Sequence, residues 1–581
     1  MGASATVALV SASILAGLTA LEAWNTSAAE PRVFVAQIAP ADKIEQALNR
    51  LTYGARPGDA ERVRAVGLDR WIEAQLNPES IPENPVLAEK LRYLDTLDLP
   101  SSQLVRDYPS RQVMRQMVKG QIPYPADPEV RMMIAKMVAR DERKQGQDGA
   151  TADSIAPERA ALADLLPPDR IRSLGTGTAE ERLGAFEALP EDKQDEIIMA
   201  MGQGMRQALF AAAPPSLRRK LEMANGPAQV VARDLAEAKM LRAIYSERQL
   251  AEVLDDFWFN HFNVYLEKGA DRYLVTGYER DAIRPHVLGK FRDLLEATAK
   301  SPAMLFYLDN WQSVAPDAAE GRPQARRGLN ENYGRELLEL HTLGVNGGYT
   351  QKDVTEVARC FTGWTIYRPQ LGGRFFFNAR THDNGEKVVL GVEIPPGGGM
   401  LDGEKVLDIL ARQPATARFV SRQLAQRFVA DDPPEALVDR MADTFLKTDG
   451  DIRQVLGTMF HSGEFRSVGA FRSKMKSPLE MVASAVRVTG AKVDFAFALA
   501  NLVAQLGEPL YQKMEPTGYS NSSKEWMNTA GLLARMNFAL QLAGDRVSGV
   551  KADAKVKVAD NAAPGLPGEG VQLGSPDFQK R

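Results

Sequence analysis

Residues 330–344, NENYGRELLELHTLG, bring Glu331, Glu336, Glu339, Arg335 and His341 into one short helical stretch. Carboxylates and imidazoles suit a borderline divalent metal, which could polarise a substrate or activate water. Helical spacing tests whether these groups converge. At about 100° per residue, Glu331, Arg335 and Glu339 fall in one row, as an exposed salt-bridge ladder would. Tyr333, Leu337 and Leu340 form the apolar face, with Glu336 on its shoulder. His341 lies about 140° from Glu336 and about 200° from Glu339. One regular helix cannot aim all three at one ion, unlike an H-E-x-x-H pair. Glu336 and His341, the candidate catalytic residues, therefore need an unwound helix end or partners from elsewhere.

Candidate partners exist. His261 ends the apolar stripe Leu250, Leu254, Phe257, with Asp256, Asn260 and Asn263 on the polar edge beside it. His382 and Asp383 precede Asn384-Gly385, and Asn260 and Asp353 add oxygen atoms in neighbouring segments. His261, His382 and Asp383 are the candidate metal ligands, and a divalent metal is the cofactor they would hold. Each has a plainer reading. A single histidine on an apolar face is commonly a hydrogen-bonded core residue, Asp353 closes a capping box from Thr350, and Asp383 suits a turn. Glu336 is harder to dismiss, because a carboxylate bordering a core requires a partner; Arg359 is the candidate. Cys360, the only cysteine, excludes an intrachain disulfide and a cysteine-based zinc site, and reads as a small core residue. Phosphate-binding loops, dinucleotide fingerprints, a G-x-S-x-G elbow and S-x-x-K are missing.

The elements that must position these residues are mostly helices. KSPLEMVASAVRV opens with Ser477 as cap, Pro478 at the first helical position and Glu480 closing a capping box. One β-hairpin is expected around Asn384-Gly385, where strand-like runs flank a strong two-residue turn signal. Residues 101–228 differ in texture and hold nine of the 20 methionines, which points to a Met-rich helical insertion, its centre near DERKQGQDGATADS disordered. Residues 546–581 lack periodicity and read as a disordered tail.

A net charge of −4 and a pI near 6.0 give no pull towards nucleic acid. The apolar, uncharged run ATVALVSASILAGLTAL, followed by small residues at Ser27 and Ala29, has the character of an export signal over residues 1–29. No basic residue precedes Arg32, so an uncleaved anchor, the only membrane contact expected, is the alternative.

The blocks FWFNHFNVY, NENYGRELLELHTLGVNGGYTQKDVTEVARCFTGW, HDNGEKVVLG, KSPLEMVASAVR and WMNTAGLLARMNFALQLA resemble the domain of unknown function 1800 family over about residues 41–543, interrupted by the insertion. That resemblance implies a bacterial, exported, mainly helical protein, and a partner among exported proteins resembling alkaline phosphatases and sulfatases. It carries no catalytic assignment. Where the family pattern has a glycine-tryptophan pair after a proline-rich turn, this chain has EPTGYSNSSKEW. The expectation is thus a mainly α protein: a large multi-helix domain over 41–545 with one small β-hairpin and a helical insertion, periplasmic or secreted. Its expected function is metal-assisted hydrolysis in the cell envelope, with a non-catalytic helical scaffold as the alternative.

Overall fold

The computed structural model describes residues 31–145, 162–210, 212–316, 328–552 and 573–581. The N-terminal run read as an export signal, residues 146–161 of the insertion and residues 553–572 lie outside the described residues. Helices follow one another through the chain, and the described strands form three two-stranded antiparallel pairs. The mainly α expectation holds.

The centre is built by three helices, Pro227–Tyr245, Gln249–His261 and Pro478–Val488. The last is buried from Pro478 to Arg487, and its start follows the sequence signal: Ser477 and Glu480 form a reciprocal capping box behind Pro478. Arg487 at its far end donates to the carbonyls of Gly54 (2.6 Å) and Ile244 (2.8 Å), tying the N-terminal helices to the core.

The helix carrying Glu336 is not regular. Asn330 caps the α-helix Glu331–Glu336, after which Leu337–Thr342 is a π-turn, with Leu343 N–H bonded to the Leu338 carbonyl at 2.9 Å. The extra residue per turn changes the angle between Glu336 and His341 from the one regular spacing predicts. Gly334 makes the close packing here feasible: a Cβ there would stand 3.0 Å from the Val354 carbonyl oxygen of the helix Gln351–Cys360. A second π-turn, Tyr278–Ile283, carries Glu279 inward.

The β expectation needs correction. Asn384-Gly385 is not a hairpin turn. Phe375–Phe377 pairs with Trp364–Ile366, while Lys387–Val389 pairs with Val392–Ile394 through Leu390 and Gly391, both at positive φ. Asp383 decides the local geometry at Asn384-Gly385 by accepting the Gly385 N–H at 2.9 Å, an Asx turn rather than a strand reversal. The third pair, Lys492–Val493 with Val550–Lys551, joins segments too far apart for any turn signal.

The insertion forms two small cores, one shared with the body and one of its own. One gathers Val113, Met114 and Met117 with Val230 and Tyr273 of the body; the other gathers Phe186, Ile197, Met201 and Leu221. Its methionines include core residues, the plainer of the two readings. The tail expectation also needs correction at its end. Leu573 and Arg581 are buried, Pro576–Gln579 is helical, and Arg581 N–H donates to the Lys474 carbonyl at 2.8 Å. Pairing with residues about a hundred positions earlier leaves no local periodicity to read.

Candidate functional site

The structure divides the residues singled out from sequence into separate places. Glu331 and Arg335 meet at 3.9 Å, with Gln351 bridging them, but Glu339 accepts the Tyr349 hydroxyl instead of extending the ladder. Arg359 is not the partner of Glu336. It forms a two-point pair with Asp383 at 2.8 and 3.1 Å and another with Glu356. Glu336 is half-buried and accepts no hydrogen bond among the described residues; burial, reinforced by Glu339, raises its pKa.

His261 and His341 do come together. Their rings lie 6.4 Å apart among Phe262, Trp258 and Phe419, and His261 Nε2 lies 3.1 Å from the His341 carbonyl, which fixes that nitrogen as the donor. Burial pushes His261 down to about 4 and His341 to about 3, so both rings are neutral at neutral pH. His341 is 2% exposed, and its Nε2 has no hydrogen-bond partner among the described residues.

His382 and Asp383 belong elsewhere. His382 Nδ1 lies 2.7 Å from the Thr362 carbonyl and Nε2 lies 3.2 Å from Asp402, which also takes the Lys387 ammonium at 2.6 Å. Burial acts to raise the Asp383 carboxyl, but the Arg359 hydrogen bonds and the Gly385 N–H pull it below the usual carboxylate range. Among the described residues no group of three or more His, Cys, Asp and Glu side chains is placed to share an ion. His261, His382 and Asp383 therefore do not form one ligand set. Cys360 is buried, and burial pushes its thiol up to about 12, as suits a core residue.

Polar chemistry concentrates instead where the 249–261 helix faces the start of the 478–488 helix. A cavity of about 50 Å³ lies between them, walled by Lys239, Asp256, Arg427, Glu480, Glu508 and Arg581. Each wall has a local cause. Asp256 and Asn260 stand one turn apart on the polar edge of their helix. Glu480 is the capping-box residue, and Arg427 and Arg581 both pair with its Oε1. Glu508 comes from the loop after Phe497–Gln505 and accepts the Leu479 N–H at 2.8 Å, a second carboxyl at the same helix start. Lys239 reaches Asp256 at 3.2 Å and Glu279 at 3.5 Å.

The two carboxyls at that helix start are driven in opposite directions. Burial and then the Asp256 charge raise Glu508 to about 8, so it is protonated at neutral pH. Burial works against ionisation of Glu480 too, but Arg427 and Arg581 overcome it and hold that group at about 2. Behind Asp256 lie Asp255 and Glu279: burial raises the first, while Lys239, with Asp255 and Arg284, outweighs burial at the second and lowers it.

A second cavity of about 340 Å³ adjoins the first and shares Phe257, Asn260 and Tyr519 with it; His261, Leu340 and Phe419 complete its inner wall. Glu336, four residues before Leu340, does not line either cavity. The partition between the cavities is the turn of EPTGYSNSSKEW. Asn260 clamps it, donating to the Tyr519 carbonyl and accepting its N–H at 2.6 Å, while a Cβ on Gly518 would stand 2.2 Å from the Asn260 carbonyl oxygen. Tyr519 packs beside Trp526, ring centres 6.1 Å apart. This turn is thus a wall of the site.

The model of a family described as protein of unknown function (DUF1800) matches residues 46–571. The chain belongs to this family. None of the curated proteins and none of the solved structures matches it. The matched span extends on both sides of residues 101–228.

Sequence reasoning missed Lys239, Arg427, Glu480, Glu508 and Arg581. Glu480 carried a signal, but one fully explained by helix capping. The others are solitary charges in helices or loops, and only their burial marks them.

Proposed function

We propose that this DUF1800 protein is a hydrolase of the cell envelope whose acid–base pair is Glu508 and Asp256. The observation that carries the reading is the small cavity in which a protonated carboxyl faces a second carboxylate beside three cations. A carboxyl held protonated by burial can serve as a general acid at a pH where ordinary carboxyls are ionised. Asp256 would take a proton from water as the water oxygen bonds to the substrate's electrophilic centre. Glu508 would give its proton to the leaving oxygen as that bond breaks, and the proton on Asp256 later restores Glu508. The sum is one water added across one bond. The larger cavity would hold the rest of the substrate against Tyr519 and Phe419. This reading replaces the metal-assisted one, whose ligands are spread over separate places. Export and the envelope location rest on the apolar N-terminal run; no described helix is long and apolar enough to cross a membrane.

The test is a hydrolysis screen over ester, glycoside and phosphoester substrates with the wild type, Glu508→Gln and Asp256→Asn, each checked for folding. Each variant is expected to lower kcat by about 100-fold or more. Wild-type activity should fall as pH rises through about 8, and equal activity in all three proteins would overturn the assignment.

One observation favours the scaffold reading. A groove of about 1680 Å³ between the insertion and the body is lined by Arg115, Arg172, Arg233 and Arg272 with Met137 and Met205. An acidic partner surface, such as one on an exported alkaline-phosphatase-like or sulfatase-like protein, would suit it. Affinity capture with Arg115→Glu and Arg172→Glu variants tests this: unchanged capture would remove the groove from the argument.

A further inference from the structure

The wall of the small cavity opposite Asp256 is the outer face of a much larger buried cationic cluster. Arg50, Arg427, Lys474, Lys476 and Arg581 are each at least nine-tenths buried, and all lie within electrostatic reach of Glu480 or Asp431. These two carboxylates are the only acids paired with the five cations among the described residues: Glu480 with Arg427 and Arg581, Asp431 with Lys474. Buried charge is expensive unless it is paired, and here positive charge exceeds negative.

The hydrogen bonds show the same deficit. Arg50 spends one nitrogen on the carbonyls of Val429 and Ala470, leaving Nε and Nη1 without a partner among the described residues. Arg581 donates one nitrogen to the Arg427 carbonyl, while its Nε has no partner. Lys476 has no carboxylate partner among the described residues; its ammonium sits 3.7 Å above the centre of the Phe578 ring. Unused guanidinium donors in a dry interior are costly, and a ligand that accepts them would recover that cost. Arg427 and Arg581 line the cavity itself, with Ser477, Ser520 and Asn521 adding small polar groups. The space of about 50 Å³ is several times the ~10–15 Å³ that one water requires.

We propose that this cavity binds an oxyanion, the phosphate, sulfate or carboxylate group of the substrate, on Arg427, Arg581 and Ser477 with Arg50, Lys474 and Lys476 behind them. The proposal rests on this cavity being the working site and names the class of substrate it would hydrolyse. The anion supplies the missing negative charge, and guanidinium forks match planar or tetrahedral oxyanions through paired N–H bonds. The depressed cations agree with an unfilled demand. Burial lowers Lys476 to about 7 and Arg581 to about 9, with neighbouring cations adding to the effect and Glu480 opposing it.

The experiment is calorimetric titration of the full chain with inorganic phosphate, sulfate and acetate, ionic strength held constant with chloride. Saturable one-to-one binding of at least one of them is expected. Acetate alone would assign a carboxylate, and phosphate or sulfate a tetrahedral group. Arg427→Gln should weaken binding by about tenfold or more. Ser520→Asp, an exposed loop position that brings a carboxylate to the cavity wall, should abolish binding without a risk to folding. Wild type that binds none of the three anions, or binding that both variants leave intact, would overturn the proposal. Failure of the hydrolase reading looks different: anion binding would persist in wild type and in Glu508→Gln, and neither would turn over a substrate.

Discussion

Two regions of this protein bury charged and imidazole side chains, and they do so in opposite ways. Under the short strands, His382, Asp402 and Lys387 form a closed network. Lys387 spends its three donors on Asp402 and on the carbonyls of Asp383 and Gly385, and both His382 nitrogens are engaged. Along and behind the cavity walls, Arg50, Arg581 and His341 each leave at least one buried nitrogen without a partner among the described residues. A completed network locks one conformation, and its polar groups have nothing left to offer a ligand. An incomplete one retains donors at a cost in stability, a trade that working sites make. Of the sequence-derived metal candidates, His382 and Asp383 thus fall in the structural region, and only His261 borders the incomplete one.

The contrast can be broken by substitution. Asp402→Ala should cause the largest loss, about 3–5 kcal/mol in urea unfolding, because it strands the fully buried Lys387 ammonium. Anion binding at the cavity should stay unchanged in the protein that remains folded. A loss below about 1 kcal/mol would mean that the network is no tighter than a surface pair.

His341 offers a pH test of the other region. Its pKa is depressed to about 3 from an ordinary value near 6.5, so its contribution is present above about pH 6.5 and is lost as pH falls towards 3. Wild type should lose on the order of 2–4 kcal/mol over that window, beyond the loss in His341→Phe. Parallel stability curves for the two proteins would show that His341 is not held neutral.

Glu508 has the opposite sign. Its pKa is raised, so its contribution is complete below the unfolded carboxyl value of about 4.3 and is lost as pH rises through about 8. Glu508→Gln should therefore gain on wild type by roughly 1–2 kcal/mol between pH 6 and pH 9. A constant difference across that range would remove Glu508 as a protonated acid. The smallest effect is expected at the exposed pair of Glu331 and Arg335: Glu331→Gln should change stability by less than about 0.5 kcal/mol.

Much of the frame was legible in the chain. The caps at Ser477 and Thr350 stand as the sequence predicts, because capping depends on residues three positions apart. The apolar stripe ending at His261 is the buried face of its helix, and Asp256 and Asn260 border the cavity from its polar edge. The angle between Glu336 and His341 was misread because a π-turn is not visible as spacing. The hairpin was misplaced because Asn-Gly marks a turn without saying which strands it joins. Lys476, Arg427 and Arg581 carried no mark at all, since a lone cation in a sequence reads as solvated.

By itself, the sequence determined the helical class, the family, the helix starts and the pairing of polar with apolar edges, all of which depend on neighbours within a turn or two. Only the tertiary structure decided which charges are dry. Burial turns Glu508 into an acid and leaves Arg50 with unused donors, and burial is set by segments hundreds of residues apart meeting around one cavity.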